Sequence, residues 1–269
     1  MQKRLNLKIL GLLLASLVVL FGFLLWVRLS EKHELGQPYE TLPVLKTELR
    51  NSSVNLSEKP VIDLSAFQPY KSINYSKLAN NISGAVVRVQ DGLSAKSSVY
   101  INSDGSDPAF KYHITGLQAE GIPVAVYAYA NGSSVAEMQK EAKTFYDRAK
   151  AYQPTFWWLD IESVSMTNLN AGVEAFRAEL KTLGAKNIGI YSRDNFLTEN
   201  AISTSKFDAV WLAFYGATND GSYTALTSKR TFQMQQYTDQ GKLSGYASSV
   251  DMSRVLSDTD YKKLFLTNK

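Results

Sequence analysis

Two acids separated by one residue, Asp160 and Glu162, close an otherwise apolar run, Trp157-Trp158-Leu159-Asp160-Ile161-Glu162. Side chains alternate along an extended strand, so a strand over Phe156–Glu162 projects both carboxylates to one side and Leu159 and Ile161 to the other. Three more acids stand at the ends of short β-rich runs: Asp63 in Val61-Ile62-Asp63-Leu64-Ser65, Asp91 in Val89-Gln90-Asp91-Gly92, and Asp251 in Ser249-Val250-Asp251-Met252. An isolated Asp-x-Glu is ordinarily a pair of solvated loop residues. Acids at several strand ends of one barrel instead converge on a single mouth, because a parallel barrel works at the C-terminal ends of its strands. Such a set suits acid-catalysed cleavage of a glycosidic bond. One carboxylic acid protonates the leaving oxygen, and a second group stabilises the oxocarbenium-like centre. Crowding opposes ionisation of one member and is expected to keep a Glu protonated near neutral pH.

The remaining composition narrows the chemistry. The chain has no cysteine, which excludes disulfides, thiolate nucleophiles and Cys-ligated zinc. Its two histidines, His33 and His113, lie far apart and in no ligand spacing, which argues against a His metal site or a Ser-His-Asp triad. No metal or organic cofactor is expected. Residues 1–60 hold 8 Lys/Arg and 5 Asp/Glu, and the remainder 21 and 20, so the body is nearly neutral. Nucleic-acid binding needs a concentrated basic face, and none is present. Aromatics gather near the same strand ends, among them Phe67, Tyr70, Trp158 and Phe214. About half of such residues pack cores. Tyr127, Tyr129, Tyr191, Trp211, Tyr215 and Tyr237, with Asp91, are the candidates for lining a substrate groove.

The elements that must hold these residues alternate from Val61 onward. Strands are expected at Val61–Ser65, Ala85–Gln90, Val124–Ala130, Phe156–Glu162 and Ile188–Ser192, then at Ala209–Tyr215, Thr231–Tyr237 and Ser249–Met252. Helices are expected near Tyr75–Asn80 and at Pro108–Glu120, Val135–Tyr152, Leu169–Leu183 and Ser257–Leu266, with Gly121 and Gly184 as stops. Met138, Ala142, Phe145 and Ala149 have the spacing of a packed helical face. Strand–helix–strand alternation implies parallel pairing. The expected fold is therefore α/β, an irregular barrel of eight strands and about five helices, resembling the (β/α)8 type.

Ahead of this domain, Ile9–Val27 is an uncharged run rich in Leu, Val and Phe. It is long enough to cross a bilayer. Lys3, Arg4 and Lys8 precede it, which favours a cytoplasmic N-terminus and an exterior body. A cleaved signal is the competing reading, but the run is too long and lacks a small-x-small site. Residues 1–28 are thus expected to be the flank and single membrane anchor. Residues 29–60, polar and bearing Pro38, Pro43 and Pro60, form a linker on the wall side, and 61–269 the barrel.

With these residues in view, the chain resembles the glycoside hydrolase family 25 lysozymes over roughly Val61 to Met252. Ile62-Asp63-Leu64-Ser65 resembles the family's Ile-Asp-Val-Ser, with Phe67-Gln68 where Trp-Gln is common. Asp107-Pro108-x-Phe110, Leu159-Asp160-Ile161-Glu162, Gly189-Ile190-Tyr191-Ser192, Trp211-Leu212-Ala213-x-Tyr215, and Gln236-Tyr237 followed by Val250-Asp251 are similar to further family elements in the same order. The resemblance implies an N-acetylmuramidase cutting the β-1,4 bond after N-acetylmuramic acid in peptidoglycan. It implies Glu162 as proton donor, Asp160 as stabiliser of the charged centre, and Asp63 and Asp251 as setting the protonation and position of that pair. Three departures stand out. Tyr127-Ala128-Tyr129-Ala130 lacks the family's histidine, Arg88-Val89-Gln90-Asp91-Gly92 has a shorter acid, and Gln235 replaces a Trp. These changes are expected to touch the groove rather than the four carboxylates. They motivate the alternative function, a weakly catalytic wall-binding or scaffold protein on the same barrel.

Overall fold

The computed structural model describes residues 58–93 and 96–266, all within the second of two units of the chain, Thr47–Lys269. The expected anchor and the linker up to residue 57 lie outside the described residues. Among the described residues, no helix is long and apolar enough to cross a membrane.

Eight strands close into a barrel in sequence order: β1 (Val61–Leu64), β2 (Gly84–Asp91), β3 (Val124–Tyr129), β4 (Trp157–Asp160), β5 (Ile188–Ser192), β6 (Ala209–Ala213), β7 (Met234–Gly241) and β8 (Val250–Val255). Each strand from β1 to β6 pairs parallel with the next. β8, however, runs antiparallel to both β7 and β1. The expectation of parallel pairing rested on helix-linked strands and does not extend to β8, for a physical reason. A parallel crossover needs roughly a dozen residues or more, whereas only residues 242–249 join β7 to β8, so the chain returns as a hairpin.

Six α-helices occupy the described residues: α1 (Tyr75–Ala79), α2 (Phe110–Ala119), α3 (Val135–Ala149), α4 (Leu169–Thr182), α5 (Asp194–Glu199) and α6 (Asp258–Phe265). α3 begins where the Ser134 side chain accepts from the Glu137 amide and the Glu137 carboxylate accepts from the Ser133 amide, which satisfies two otherwise orphan donors. It buries Met138, Ala142, Phe145 and Ala149, the face anticipated from their spacing. Asn168 caps α4 in the same manner. Gly121 and Gly184, at φ of 74° and 98°, lie just past α2 and α4, where a left-handed residue ends a helix. α5 was not anticipated. It is six residues long and buries only Leu197, too little to leave a helical period in the sequence.

Strand alternation sorts the apolar residues into two clusters. Ile62, Leu64, Val87, Val126, Leu159, Ile190 and Leu212 face outward and pack under the helices. Val61, Val86, Ala125, Trp158, Trp211 and Met234 face into the barrel. α6 adds Tyr261, Leu264 and Phe265 to that inner cluster. The Phe265 ring lies where a side chain on Gly84 would stand, and the Tyr261 hydroxyl donates to the Ser83 carbonyl at 2.7 Å. The end of the barrel where the parallel strands begin is thereby filled with hydrocarbon. The opposite end is left for polar groups.

Candidate active site

At that opposite end the inward positions change character. Two residues above Val61 is Asp63, above Val86 is Arg88, above Ala125 is Tyr127, above Trp158 is Asp160 and above Met234 is Gln236. Asp251 enters from β8. It lies near the start of its strand, not at the end as anticipated. Because β8 is antiparallel, its start reaches the same mouth as the ends of β1–β7. Glu162 is likewise not in a strand, since β4 stops at Asp160. The Ile161 amide donates to the Tyr191 carbonyl at 3.1 Å, continuing the ladder far enough to keep Glu162 beside Asp160.

A cavity of about 510 Å³ at this mouth is lined by Asp63, Asp91, Asp160, Glu162 and Asp251 together with Arg88, Tyr127 and Tyr129. A neighbouring cavity of about 670 Å³ is lined by Glu162, Tyr191, Arg193, Phe214, Tyr215 and Leu226, among others. Glu162 belongs to both. The four carboxylates anticipated as catalytic thus share one cavity. Five of the seven groove candidates line one cavity or the other. The two exceptions follow from strand parity and depth. Trp211 lies one inward position below the mouth, 2% exposed, with its indole nitrogen donating to Ser253 Oγ at 3.0 Å. Tyr237 faces outward, packs on the helix-side cluster and points its hydroxyl at Met252 Sδ.

Gln236 organises the site, and the sequence reading passed over it in favour of its neighbour Tyr237. Its amide nitrogen donates to Asp63 Oδ2 at 2.8 Å and to Asp251 Oδ2 at 3.3 Å. Its carbonyl oxygen accepts from the hydroxyls of Tyr191 at 2.6 Å and Tyr215 at 2.7 Å. One amide therefore ties together β1, β5, β7, β8 and the segment after β6. The missed signal was parity: Gln236 is two residues from the inward Met234.

The electrostatics follow from burial. Desolvation raises Asp63 well above the usual carboxylate range, with Asp251 and Glu162 adding repulsion and the Gln236 hydrogen bond opposing. Asp160 is raised well above that range by burial, then by Glu162, Asp63 and Asp91, against the pull of Arg88. Asp251 is raised to about 7 by burial and by the nearby Asp239 and Glu162. Glu162 is also raised, by burial, with Arg193 pulling it back. Crowding was expected to keep the Glu protonated. In the structure crowding acts mainly on the three aspartates, and burial acts on Glu162. Asp160 Oδ1 is buried without a hydrogen-bond partner, which adds to the cost of ionising this carboxylate.

Arg88, also overlooked, braces the mouth. It is 6% exposed and donates to Asp107 at 2.9 Å, to Asp91 at 3.2 Å and to the Tyr100 carbonyl at 3.2 Å. Asp107 in turn accepts from the Ala66 amide at 2.8 Å, fixing the turn after β1. Of the three departures expected in the groove, only Asp91 lines it. Ala128 is fully buried in the helix-side cluster. Gln235 is buried facing outward, where it donates to the carbonyls of Phe214 and Thr224 and accepts from the Leu226 amide.

The family model for glycosyl hydrolases family 25 matches residues 62–246. No curated protein sequence matches the chain. Among solved structures, the virulence factor GHIP, a glycosyl hydrolase 25 of Streptococcus pneumoniae participating in host cell invasion, is 44% identical. It matches with a TM-score of 0.76 over 78% of this chain and 94% of its own. The catalytic domain of endolysin ply40 from bacteriophage P40 of Listeria monocytogenes is 26% identical, with a TM-score of 0.67 over 79% and 98%. The bacterial lysozyme from Streptomyces coelicolor shares the fold at 19% identity, with a TM-score of 0.57 over 77% and 96%.

Proposed function

The chain belongs to glycosyl hydrolases family 25, and from that premise we propose that it is a peptidoglycan muramidase hydrolysing the β-1,4 bond between N-acetylmuramic acid and N-acetylglucosamine. The observation that carries this reading is the convergence of Asp63, Asp160, Glu162 and Asp251 in one cavity. Endolysin and lysozyme structures among the matches support peptidoglycan as the substrate.

In this reading Glu162, half-buried where the two cavities meet, donates its proton to the glycosidic oxygen of a chain lying across both. Burial holds that proton in place, and Arg193 limits how firmly. As the bond breaks, positive charge develops at the anomeric carbon. Asp160 answers it from the cavity floor, either directly or by orienting the sugar's N-acetyl group. Asp63 and Asp251, held by Gln236, fix the position and proton content of the floor. Water then completes the cleavage and restores the proton to Glu162.

Full-length protein and its Glu162→Gln variant, incubated with purified peptidoglycan, test the proposal. The native chain is expected to release new reducing ends, and the variant to be slower by about 10²–10⁴-fold, the usual worth of a general acid. Equal inactivity with both proteins still pelleting on walls would instead support the wall-binding alternative. The N-terminal run Ile9–Val27 supports a single-pass anchor that holds the enzyme at the outer face of the cell membrane. Release of the protein by alkaline carbonate washing of membranes would refute the anchor.

A further inference from the structure

Beside the acidic cavity, two aromatic rings stand open to solvent. Phe67, in the turn after β1, is 57% exposed, and Tyr100 is 40% exposed; their ring centroids are 4.4 Å apart at an interplanar angle of 31°. Exposed aromatic area costs solvation free energy unless a partner covers it, and contiguous patches of this kind mark binding surfaces. The pair is built rather than incidental. The Arg88 guanidinium lies 5.1 Å from the Phe67 ring centroid, and the same group donates to the Tyr100 carbonyl. Arg88 is itself fixed by Asp91 and Asp107, and Asp107 also holds the Ala66 amide next to Phe67. One buried cation therefore braces both rings and the wall of the catalytic cavity. Phe67 lines that cavity, so the rings continue its surface outward.

We propose that Phe67 and Tyr100 form a stacking platform for a pyranose ring of the glycan strand, outside the cavity where the bond is cut. This rests on the muramidase reading and extends it to a distal sugar. A pyranose presents axial C–H bonds on one face, and these pack on an aromatic ring with dispersion and a weak electrostatic attraction. The acidic cavity alongside disfavours an anionic occupant, whereas a neutral N-acetylhexosamine ring places hydrocarbon on the rings and its hydroxyls in water. The rings are held before binding, so little side-chain freedom is lost when a sugar stacks.

The test is calorimetric titration of full-length Glu162→Gln protein with glycan fragments of increasing length, with and without their stem peptides. Phe67→Ala, Tyr100→Ala and Phe67→Trp are each added to that background. The parent is expected to bind long fragments more tightly than short ones. Either alanine substitution should lower the long-to-short affinity ratio by about threefold to tenfold, whether or not peptides are attached. Phe67→Trp should keep the ratio. Neither ring belongs to the buried core, so thermal midpoints near the parent value are expected and identify folded variants. An unchanged ratio, a loss confined to peptide-bearing fragments, or no binding of any fragment would each overturn the platform. If no fragment binds, hydrolysis by the native chain separates the two ideas: release of reducing ends sinks the platform alone, and its absence sinks the muramidase reading as well.

Discussion

Asp63 on β1 and Asp251 on β8 sit directly opposite one another in an antiparallel pairing. Like charges so placed destabilise a sheet. Here the pairing persists because the Gln236 amide donates to both carboxylates and because raised pKa values spare the pair full ionisation. The barrel thus closes on a seam that is costly for folding and useful for chemistry.

The cost has a pH signature. Asp251 is raised from 3.8 to about 7, so between those values the folded state keeps a proton that the unfolded state has released. Its burial therefore costs nothing below about pH 4. Stability is lost as pH rises through the window, and the full penalty is present above pH 7. Asp251→Asn should stabilise the protein by about 2 kcal/mol at pH 8, less than the full linkage value because neighbours share the proton. At pH 3.5 it should give no gain. Denaturant melts at the two pH values check this, and equal gains at both would refute it.

Arg193 bears on Glu162, the proposed proton donor. Its Nε is 4.0 Å from Glu162 Oε2, and its side chain is 58% exposed. The guanidinium favours the ionised carboxylate, so Arg193→Gln should move the alkaline limb of the pH–rate profile upward. Added salt should do part of the same to the native protein by screening the pair. A limb that stays fixed or moves down would contradict the assignment of Glu162 as the acid.

Gln236→Leu removes a donor from two carboxylates and an acceptor from two tyrosine hydroxyls at once. Leaving several buried polar groups unpaired should cost about 2–4 kcal/mol of stability. Asp63 also loses the hydrogen bond that lowers its pKa, so kcat should fall and its pH dependence should move upward. An unaltered pH profile would mean that the amide is only structural.

Gln235 acts on the other side of the same strand. Its three hydrogen bonds hold the segment whose Phe214, Tyr215 and Leu226 line the larger cavity. Gln235→Ala should loosen that wall and raise KM by about threefold to tenfold, the worth of one hydrogen bond or more, with kcat little changed. A fall confined to kcat would argue against this role.

The four carboxylates were legible because a strand-end acid is unusual and because several of them point to one place. Residue type did not decide the rest. Trp211 and Tyr237 have the chemistry of groove residues but the depth and parity of packing residues. Gln236 is chemically plain, and it matters only through partners on four other segments of the chain. Asp251 was recognised as a site residue, yet its place at the start of a reversed strand depends on how short the β7–β8 connection is. The helix-side burial of Ala128 and Gln235 was likewise a matter of which face of the sheet each residue takes.

The seam between β1 and β8 also governs when the enzyme exists. One wall of the carboxylate cavity comes from the first strand of the domain and another from the last, and α6 then plugs the far end of the barrel. A chain still leaving the ribosome, or one truncated before residue 250, has no Asp251 to meet Asp63 and no hydrocarbon floor beneath them. Hydrolytic capacity is therefore expected only once β8 and α6 have joined the barrel, and copies that lack them have an incomplete site.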